Sequence, residues 1–580
     1  MTAVISLIGV PLFIAMMIGF LDRQVRDLVA IVSIIALSTL AICISYHQMY
    51  ISFELSSMIK GLFTVIDIAL LLFFLWVGLR DKQRLVSGLA IAQLLLFIYM
   101  LFIAPHGGAD DIMVDQLSSM MYLIINIVGG AIVIYALGYI ESEDFSTAKK
   151  NRFIATLILF LGVMNLVVST NNIEIFFLAF ELTTLSSYLL IGYRQDEISI
   201  ANSLKALWMN QVGGVAILIA LIASIHLYDT IYFDELITNA SGYMLLPIIF
   251  LIFAAFVKGA SFPFQDWLLG AMVAPTPVSA ILHSATMVKI APYLILKLAP
   301  SFSLFVSSLV ALFGGFVFMV ASLMALNRDF FKEILALSTV ALLALMMALA
   351  ALGSEKATMA AMILIFFHAI SKALLFLQAG TLEKIYHAKY ISDMNSLVDV
   401  APKSIFFILV GFASLTLPPF GAFIAKFMAF EAVSESMLIN PMMLFVLIFM
   451  ILGGIALVIL YFKVASKLLA IDMSRKSKDE HLPLLYYAPS LLLFTLLVGS
   501  VYSIYEHLGA IESLLAMIVI LLLPILSKLN MGKTKMIKEY NCGEADRFEI
   551  SIYYFDLKWQ NRLIYGALIF WVLLLVGGVL

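Results

Sequence analysis

Six ionisable side chains lie deep inside long apolar runs of this sequence: Glu181, Lys205, Lys258, Lys289, Lys372 and Lys426, with His283 and His368 beside them. A charge near the middle of a membrane-spanning helix costs about 2.5–3.5 kcal/mol, so six left unpaired cost on the order of 15–20 kcal/mol, comparable with the stability of a whole domain. Such groups must face the protein interior, pair, or touch water. Burial lowers a lysine pKa towards neutrality and raises that of a carboxylate, while an opposite charge nearby pulls each back. The balance makes switchable charges, and lysine titrates readily where arginine does not. Every one of these central basic positions is lysine, which favours titration over fixed charge and suits a proton relay.

Each residue also has a plainer reading. Glu181 and Lys258 could form a structural ion pair; Thr184, one turn from Glu181, gives the carboxylate a hydroxyl on its face. Lys205 is near a helix end and could snorkel. His283 could be a hydrogen-bonded core histidine, with Thr286 and Lys289 following at i,i+3 steps. His368 and Lys372 are four apart and share a helix face, so they discourage each other's charging. For Lys426 the alternative is a reach to polar headgroups, weakened because Phe427, Met428 and Phe430 continue the apolar run.

The elements holding these groups follow from composition. Of 580 residues, 63% are hydrophobic and 12% charged, against roughly half and a quarter in a soluble domain. The bilayer must be the solvent. The fold class expected is an all-α polytopic membrane protein. Apolar runs of roughly 20 residues, the length of one crossing, recur about eighteen times. They centre near Phe13, Leu37, Leu70, Leu94, Ile127, Phe160, Leu185, Ile217, Phe253, Lys289, Phe316, Leu343, Phe367, Phe412, Met450, Leu493, Val519 and Phe570. Odd-numbered loops carry nearly all the basic residues (Arg23 and Arg26; Arg80, Lys82 and Arg84; Lys149, Lys150 and Arg152; Arg475, Lys476 and Lys478, among others). Even loops are poor in them and several are acidic (Asp110, Asp111, Asp115). That places the odd loops in the cytoplasm and both termini outside. The apolar start, Met1 to Phe20, lacks a basic n-region and reads as a retained first helix, not a signal peptide.

Net charge is −3, which suggests no nucleic-acid partner. The two cysteines, Cys43 and Cys542, cannot supply the four ligands of an iron–sulfur cluster. No cofactor is expected in this chain, and no metal site.

Two spans read as broken. One, Met244 to Leu269, holds Lys258, Gly259 and Pro263; the other, from about Lys403 to Glu431, holds Pro418-Pro419-Phe420-Gly421 and Lys426. Proline removes a helix hydrogen bond and clashes with the preceding turn, and in lipid the freed carbonyls need a partner. The breaks fall in the ninth and fourteenth spans, five apart. A repeat of five helices is odd, so its second copy is inverted, and matching broken helices in two halves point to a transport site.

Specific motifs carry a resemblance. They are Lys258-Gly259-Ala260-Ser261-Phe262-Pro263-Phe264-Gln265-Asp266-Trp267, Ala274-Pro275-Thr276-Pro277-Val278-Ser279-Ala280, His283-Ser284-Ala285-Thr286-Met287-Val288-Lys289, His368-Ala369-Ile370-Ser371-Lys372 and Gly421-Ala422-Phe423-Ile424-Ala425-Lys426. With Glu181 and the following Ser187-Tyr188-Leu189-Leu190-Ile191-Gly192-Tyr193, they resemble the antiporter-like subunits shared by respiratory complex I, energy-converting membrane-bound [NiFe] hydrogenases and Mrp Na+/H+ antiporters. The likeness runs from about Asp115 to Ile504. It implies two inverted five-helix repeats, each with a broken helix holding a basic residue. It implies that Glu181 and Lys258 interact in the first half, that His283, His368 and Lys372 lie on a central polar axis, and that Lys426 is the exit-side residue of the second half. Lys289 matches a lysine of many hydrogenase- and Mrp-type members.

The domain organisation expected is N-terminal helices over 1–112, an antiporter-like core over 113–505, and C-terminal helices with a polar cytoplasmic linker over 506–580. Within the last, Lys528 to Gln560 spans at most about 50 Å as a helix, short for a lateral helix of the complex I type. The leading expectation is a proton- or sodium-translocating, itself non-redox subunit of a redox-driven complex in a prokaryotic cytoplasmic membrane, with other membrane subunits and a peripheral redox arm as partners. The alternative is a subunit of an Mrp-type antiporter. A haem-binding membrane oxidoreductase and a silent scaffold are weaker: cysteine ligands are lacking, and the costly charges are all present.

Overall fold

The computed structural model describes residues 1–47, 50–105, 109–240, 245–395, 397–469 and 482–505. Among them, thirteen helices are long and apolar enough to cross a membrane, and three shorter apolar helices accompany them. These sixteen coincide with the first sixteen expected spans; the last two, near Val519 and Phe570, and the region 506–580 lie outside the described residues. The protein is a multi-pass helical membrane protein.

The N-terminal part contains four helices and a short strand pair. Helices α1 (Thr2–Ile18) and α2 (Arg23–Tyr46) come first, then strand β1 (Ile51–Phe53), the hairpin α3 (Ser57–Arg80) and α4 (Arg84–Ile103), and strand β2 (Ile112–Val114). β1 and β2 pair antiparallel, Ile51 opposite Val114 and Phe53 opposite Ile112. The α3–α4 hairpin is therefore an excursion closed at its base by a short ladder. Span α5 (Gln116–Glu141) follows, with a π-turn at Ile124–Val128.

Two sets of five elements come next. The first is α6 (Thr147–Ser169, 23 residues), α7 (Ile173–Arg194, 22), α8 (Glu197–Tyr228, 32), a broken helix made of α9 (Leu246–Lys258) and α10 (Gln265–Gly270), and α11 (Thr276–Ser301, 26). The second is α12 (Leu304–Leu326, 23), α13 (Phe331–Leu352, 22), α14 (Glu355–Ile385, 31), a broken helix made of α15 (Pro402–Thr416) and α16 (Gly421–Met437), and α17 (Met443–Leu468, 26). A last helix, α18 (Leu484–Tyr505), packs on α5 and α14.

Backbone bonds mark the repeat independently of length. In the first half Ile173 N donates to Ile231 O and Phe233 N to Asn171 O; in the second Phe331 N donates to Lys389 O and Ile391 N to Asp329 O. The same reciprocal bridge thus ties the start of the second helix to the loop after the third in each copy, at Asn172–Tyr232 and Phe330–Tyr390. Each helix start is capped where sequence permits: Asn172 accepts from Glu174 N, Asp196 from Ser199 N, and Ser354 from Ala357 N, satisfying amides that lack a partner in the first turn. Gly353, at φ +66°, closes α13, a left-handed position glycine occupies without a Cβ penalty.

Burial grades from the centre outward. The most apolar windows of α11 and α13 are wholly enclosed by protein, whereas those of α2, α3 and α4 are mostly open at the periphery. The polar residues of interest sit in the enclosed part.

Candidate functional site

Both expected breaks are present. α9 ends at Lys258, and the chain turns through Ala260 (φ 52°) and a cis Phe262–Pro263 bond before α10. The Val257 carbonyl, which loses its helical partner at the break, accepts Ala260 N at 3.1 Å and the indole N–H of Trp267 at 3.0 Å. The second break runs through a cis Pro418–Pro419 bond. There the carbonyl of Leu415 accepts from Lys426 Nζ at 2.6 Å. In each half a side chain from beyond the break satisfies a released carbonyl, as a low-dielectric surrounding requires.

Glu181 and Lys258 are both fully buried, yet no carboxylate among the described residues comes within the 4.0 Å of an ion pair of Lys258. The ammonium donates to Phe180 O (3.1 Å) and to Thr184 Oγ1 (2.9 Å), and lies 3.7 Å over the Phe180 ring. Glu181 Oε1 accepts from Gln93 Nε2 at 2.7 Å, while Oε2 has no hydrogen-bond partner among the described residues. Gly214 on α8 makes room for this: a Cβ there would overlap both Glu181 Oε1 and Gln93 Nε2. The rigid salt bridge of the plainer reading is not formed. The two charges are held apart by one threonine, close enough to act on each other.

On the central axis Lys289 Nζ lies 2.7 Å from His368 Nδ1, with both residues fully buried. Lys372, one turn beyond His368 on α14, crosses to α13 and donates to Leu335 O (2.9 Å) and Ser338 Oγ (2.5 Å). His283 packs on Phe376 with ring centroids 4.8 Å apart and the rings tilted by 38°, and among the described residues neither ring nitrogen has a hydrogen-bond partner. It is a core histidine, but not a hydrogen-bonded one. A basic cluster of Lys289, His368, Lys372 and His283 therefore joins the two repeats.

The i,i+3 reading of His283, Thr286 and Lys289 on one continuous helix is not what the backbone does. Residues Ile281–Ala285 form a π-turn, and Thr286 leaves the helical region at φ −127°, ψ −112°. Its N–H and hydroxyl both return to Ile281 O (3.1 and 2.7 Å), which stops one helix and lets Met287–Lys289 start the next. No proline or glycine marks this third break, so residue type did not announce it. Lys205 and Lys426 are only half-buried. Lys205 has no carboxylate within 4.0 Å among the described residues and does not join the others.

Sequence reading missed Gln93, Ser338 and Asp67. Asp67 in α3 is 1% exposed, and both its oxygens lack a hydrogen-bond partner among the described residues. Its signal was legible: it is a carboxylate within Phe63-Thr64-Val65-Ile66-Asp67-Ile68-Ala69-Leu70, the same pattern that singled out Glu181. Gln93 and Ser338 carry no charge and left no such mark. Among the described residues, no three or more His, Cys, Asp or Glu side chains group as metal ligands do.

A helical membrane core of two broken-helix repeats, with lysines at its centre, defines an antiporter-like class. Residues 169–452 match the family profile described as "NADH:quinone oxidoreductase/Mrp antiporter, TM", and residues 111–154 match "NADH-Ubiquinone oxidoreductase (complex I), chain 5 N-terminus". The chain belongs to this family of antiporter-like membrane subunits. It is similar to the A1 subunit of the Na(+)/H(+) antiporter of Staphylococcus haemolyticus, 31% identical over 394 residues, which are 64% of this chain and 48% of that one. To the corresponding antiporter polypeptide of Alkalihalophilus pseudofirmus it is 33% identical over 433 residues, 67% of this chain and 53% of that one. The chain thus spans about half the length of these relatives. In fold it is similar to a chain of the membrane-bound sulfane sulfur reductase, an archaeal respiratory membrane complex. The TM-score is 0.69 at 16% identity, over 86% of this chain and 95% of that one.

Proposed function

We propose that this chain translocates protons or sodium ions as one component of a multisubunit complex in a prokaryotic cytoplasmic membrane. The observation that carries the reading is the spacing of Glu181 and Lys258, two fully buried opposite charges separated by the Thr184 hydroxyl. A fixed ion pair would cost desolvation without switching; two charges held apart respond to small changes beside them. A proton reaching Lys258 passes by way of Lys289, His368 and Lys372 towards Lys426. In this reading the backbone stays still, the chain itself holds no redox group, and the driving change comes from neighbouring membrane subunits.

The finer reading is a redox-driven assembly with a peripheral arm, of hydrogenase or complex I type. A second reading, an Mrp-type antiporter driven by the ion gradient, is favoured by the names of the relatives at 31–33% identity. Purification of the native complex separates them: co-isolating iron–sulfur or nickel subunits support the first, and their absence with Na+-dependent exchange supports the second. For translocation itself, Lys258→Ala and Glu181→Gln in native vesicles should abolish ion movement while the chain still assembles. Full movement in both variants rejects it.

A further inference from the structure

We propose that the α3–α4 hairpin brings the proton route to Glu181, in which Asp67 carries protons between Glu174 and Glu181. This rests on the translocation reading above. The hairpin lies outside the two repeats and is mostly open at the periphery, yet its inner side buries Asp67 and Gln93. A carboxylate in the middle of an apolar helix is costly unless paired. Among the described residues neither Asp67 oxygen has a hydrogen-bond partner, so no bond shown there repays its burial. The charges near enough to act on it are Glu174 and Glu181, both acidic.

The polar groups form two ladders. On α3, Lys60, Thr64 and Asp67 stand at i, i+4 and i+7; on α7, Glu174 and Glu181 stand at i and i+7. Residues so spaced share a helix face. Each ladder climbs about 10 Å over seven residues, and both helices start at the end where β1 and β2 lie. At that end Lys60 bridges Asp111 (2.9 Å) and Glu54 (3.1 Å), the latter exposed. One turn inward the Thr64 hydroxyl reaches Glu174 Oε1 at 3.3 Å. At the inner end Gln93 donates to Glu181 Oε1 (2.7 Å) and Gln211 O (3.2 Å). Among the described residues Gln93 Oε1, Glu181 Oε2 and both side-chain polar atoms of Gln211 remain without a hydrogen-bond partner. So many open donors and acceptors in one place fit a hydrogen-bonded proton carrier, not a closed structural network.

The chemistry is proton transfer alone. Asp67 in its acid form gives its proton to the Glu181 carboxylate and is reprotonated from Glu174, or the reverse; no oxidant or reductant enters. By the distribution of basic loops this route opens on the outer face.

The test uses the native complex in membrane vesicles with three variants. Asp67→Asn should lower ion translocation at least tenfold with the amount of complex unchanged, and Asp67→Glu should restore most of it. Glu181→Gln should abolish it. As a second readout, dicyclohexylcarbodiimide, which attacks protonated carboxyls in apolar surroundings, should leave an adduct on Asp67 in the wild-type chain by mass spectrometry, with matching inhibition. Full translocation in Asp67→Asn while Glu181→Gln is inactive overturns the Asp67 route alone; full translocation in both removes the underlying ion path as well. If Asp67→Asn does not reach the membrane, labelling decides, and no adduct on Asp67 overturns the proposal.

Discussion

Thr184 Oγ1 accepts a hydrogen bond from Lys258 Nζ at 2.9 Å, one helical turn from Glu181 on the same face of α7. The hydroxyl therefore touches Lys258 and lies close enough to act on Glu181, the position of a relay between the two. A hydrogen bond to a charged group contributes about 1.5–3 kcal/mol, which as a barrier is about ten- to a hundredfold in rate. Thr184→Val keeps the shape and removes the hydroxyl, and should slow translocation in vesicles by about that factor. Thr184→Ser should stay near wild type. Equal rates in the two variants would remove Thr184 from the path.

Gly214→Ala tests the packing around the carboxylate. The atoms nearest the new methyl would be the ends of Glu181 and Gln93, both able to swing aside, so insertion and stability should change little. The carboxylate would nevertheless leave its Gln93 bond, and translocation should fall several-fold. Gly9→Ala, with nothing within 4 Å of its Cβ, is the control and should be silent in the same assay.

The bond between Lys289 and His368 calls for a double-mutant cycle. His368→Leu removes the partner of a buried amine, with a penalty of about 1–3 kcal/mol, and should lower both thermal stability in detergent and translocation. Lys289→Met with His368→Leu removes both polar groups. It should recover stability without recovering transport. Additive losses in the melting measurement would show that the two residues do not act as a unit.

A structural pair gives the contrasting case. Lys332 Nζ lies 3.0 Å from Glu383, which also accepts from Thr276 at 3.2 Å; the lysine is 5% exposed. Removing one partner of a buried pair costs about 3–5 kcal/mol. Lys332→Ala should therefore lower the melting temperature of the purified complex strongly. Lys332→Met with Glu383→Gln should return most of the loss. In this pair, unlike Glu181 and Lys258, stability and transport should fall together.

How much of this was legible depended on which physical signal each residue leaves in the chain. Spans were readable because a bilayer demands long apolar runs, and the breaks at Pro263 and Pro418-Pro419 because proline cannot continue a helix. Glu181, Lys258, Lys372 and the two histidines stood out as charge or polarity amid apolar neighbours, and the structure buries them together. The separation of Glu181 from Lys258 by Thr184 was not readable, since it depends on side chains from α7 and α9 meeting across space. Nor was the break at Thr286, which a hydroxyl and an amide make by sharing one carbonyl. Lys205 carried the same charge signal as its neighbours but remains half-buried and apart, because its place near the start of α8 leaves it close to the helix end. Residues 1–112 were legible as N-terminal helices, but the pairing of β1 with β2 that sets α3 and α4 aside was not, being a contact between residues some sixty positions apart.

That short strand pair has an architectural consequence. Because Ile51 faces Val114 across the ladder, the chain leaves the core and re-enters it at nearly one point, as a drawer slides from a cabinet. A lineage can acquire or discard everything between those strands without re-threading the repeats. The accessory arm then meets the core machinery through side-chain pairs set along its length, Lys60 with Asp111, Thr64 with Glu174, Arg80 with Tyr188, Gln93 with Glu181 and Tyr99 with His226, and these are the positions at which the two parts must change in step.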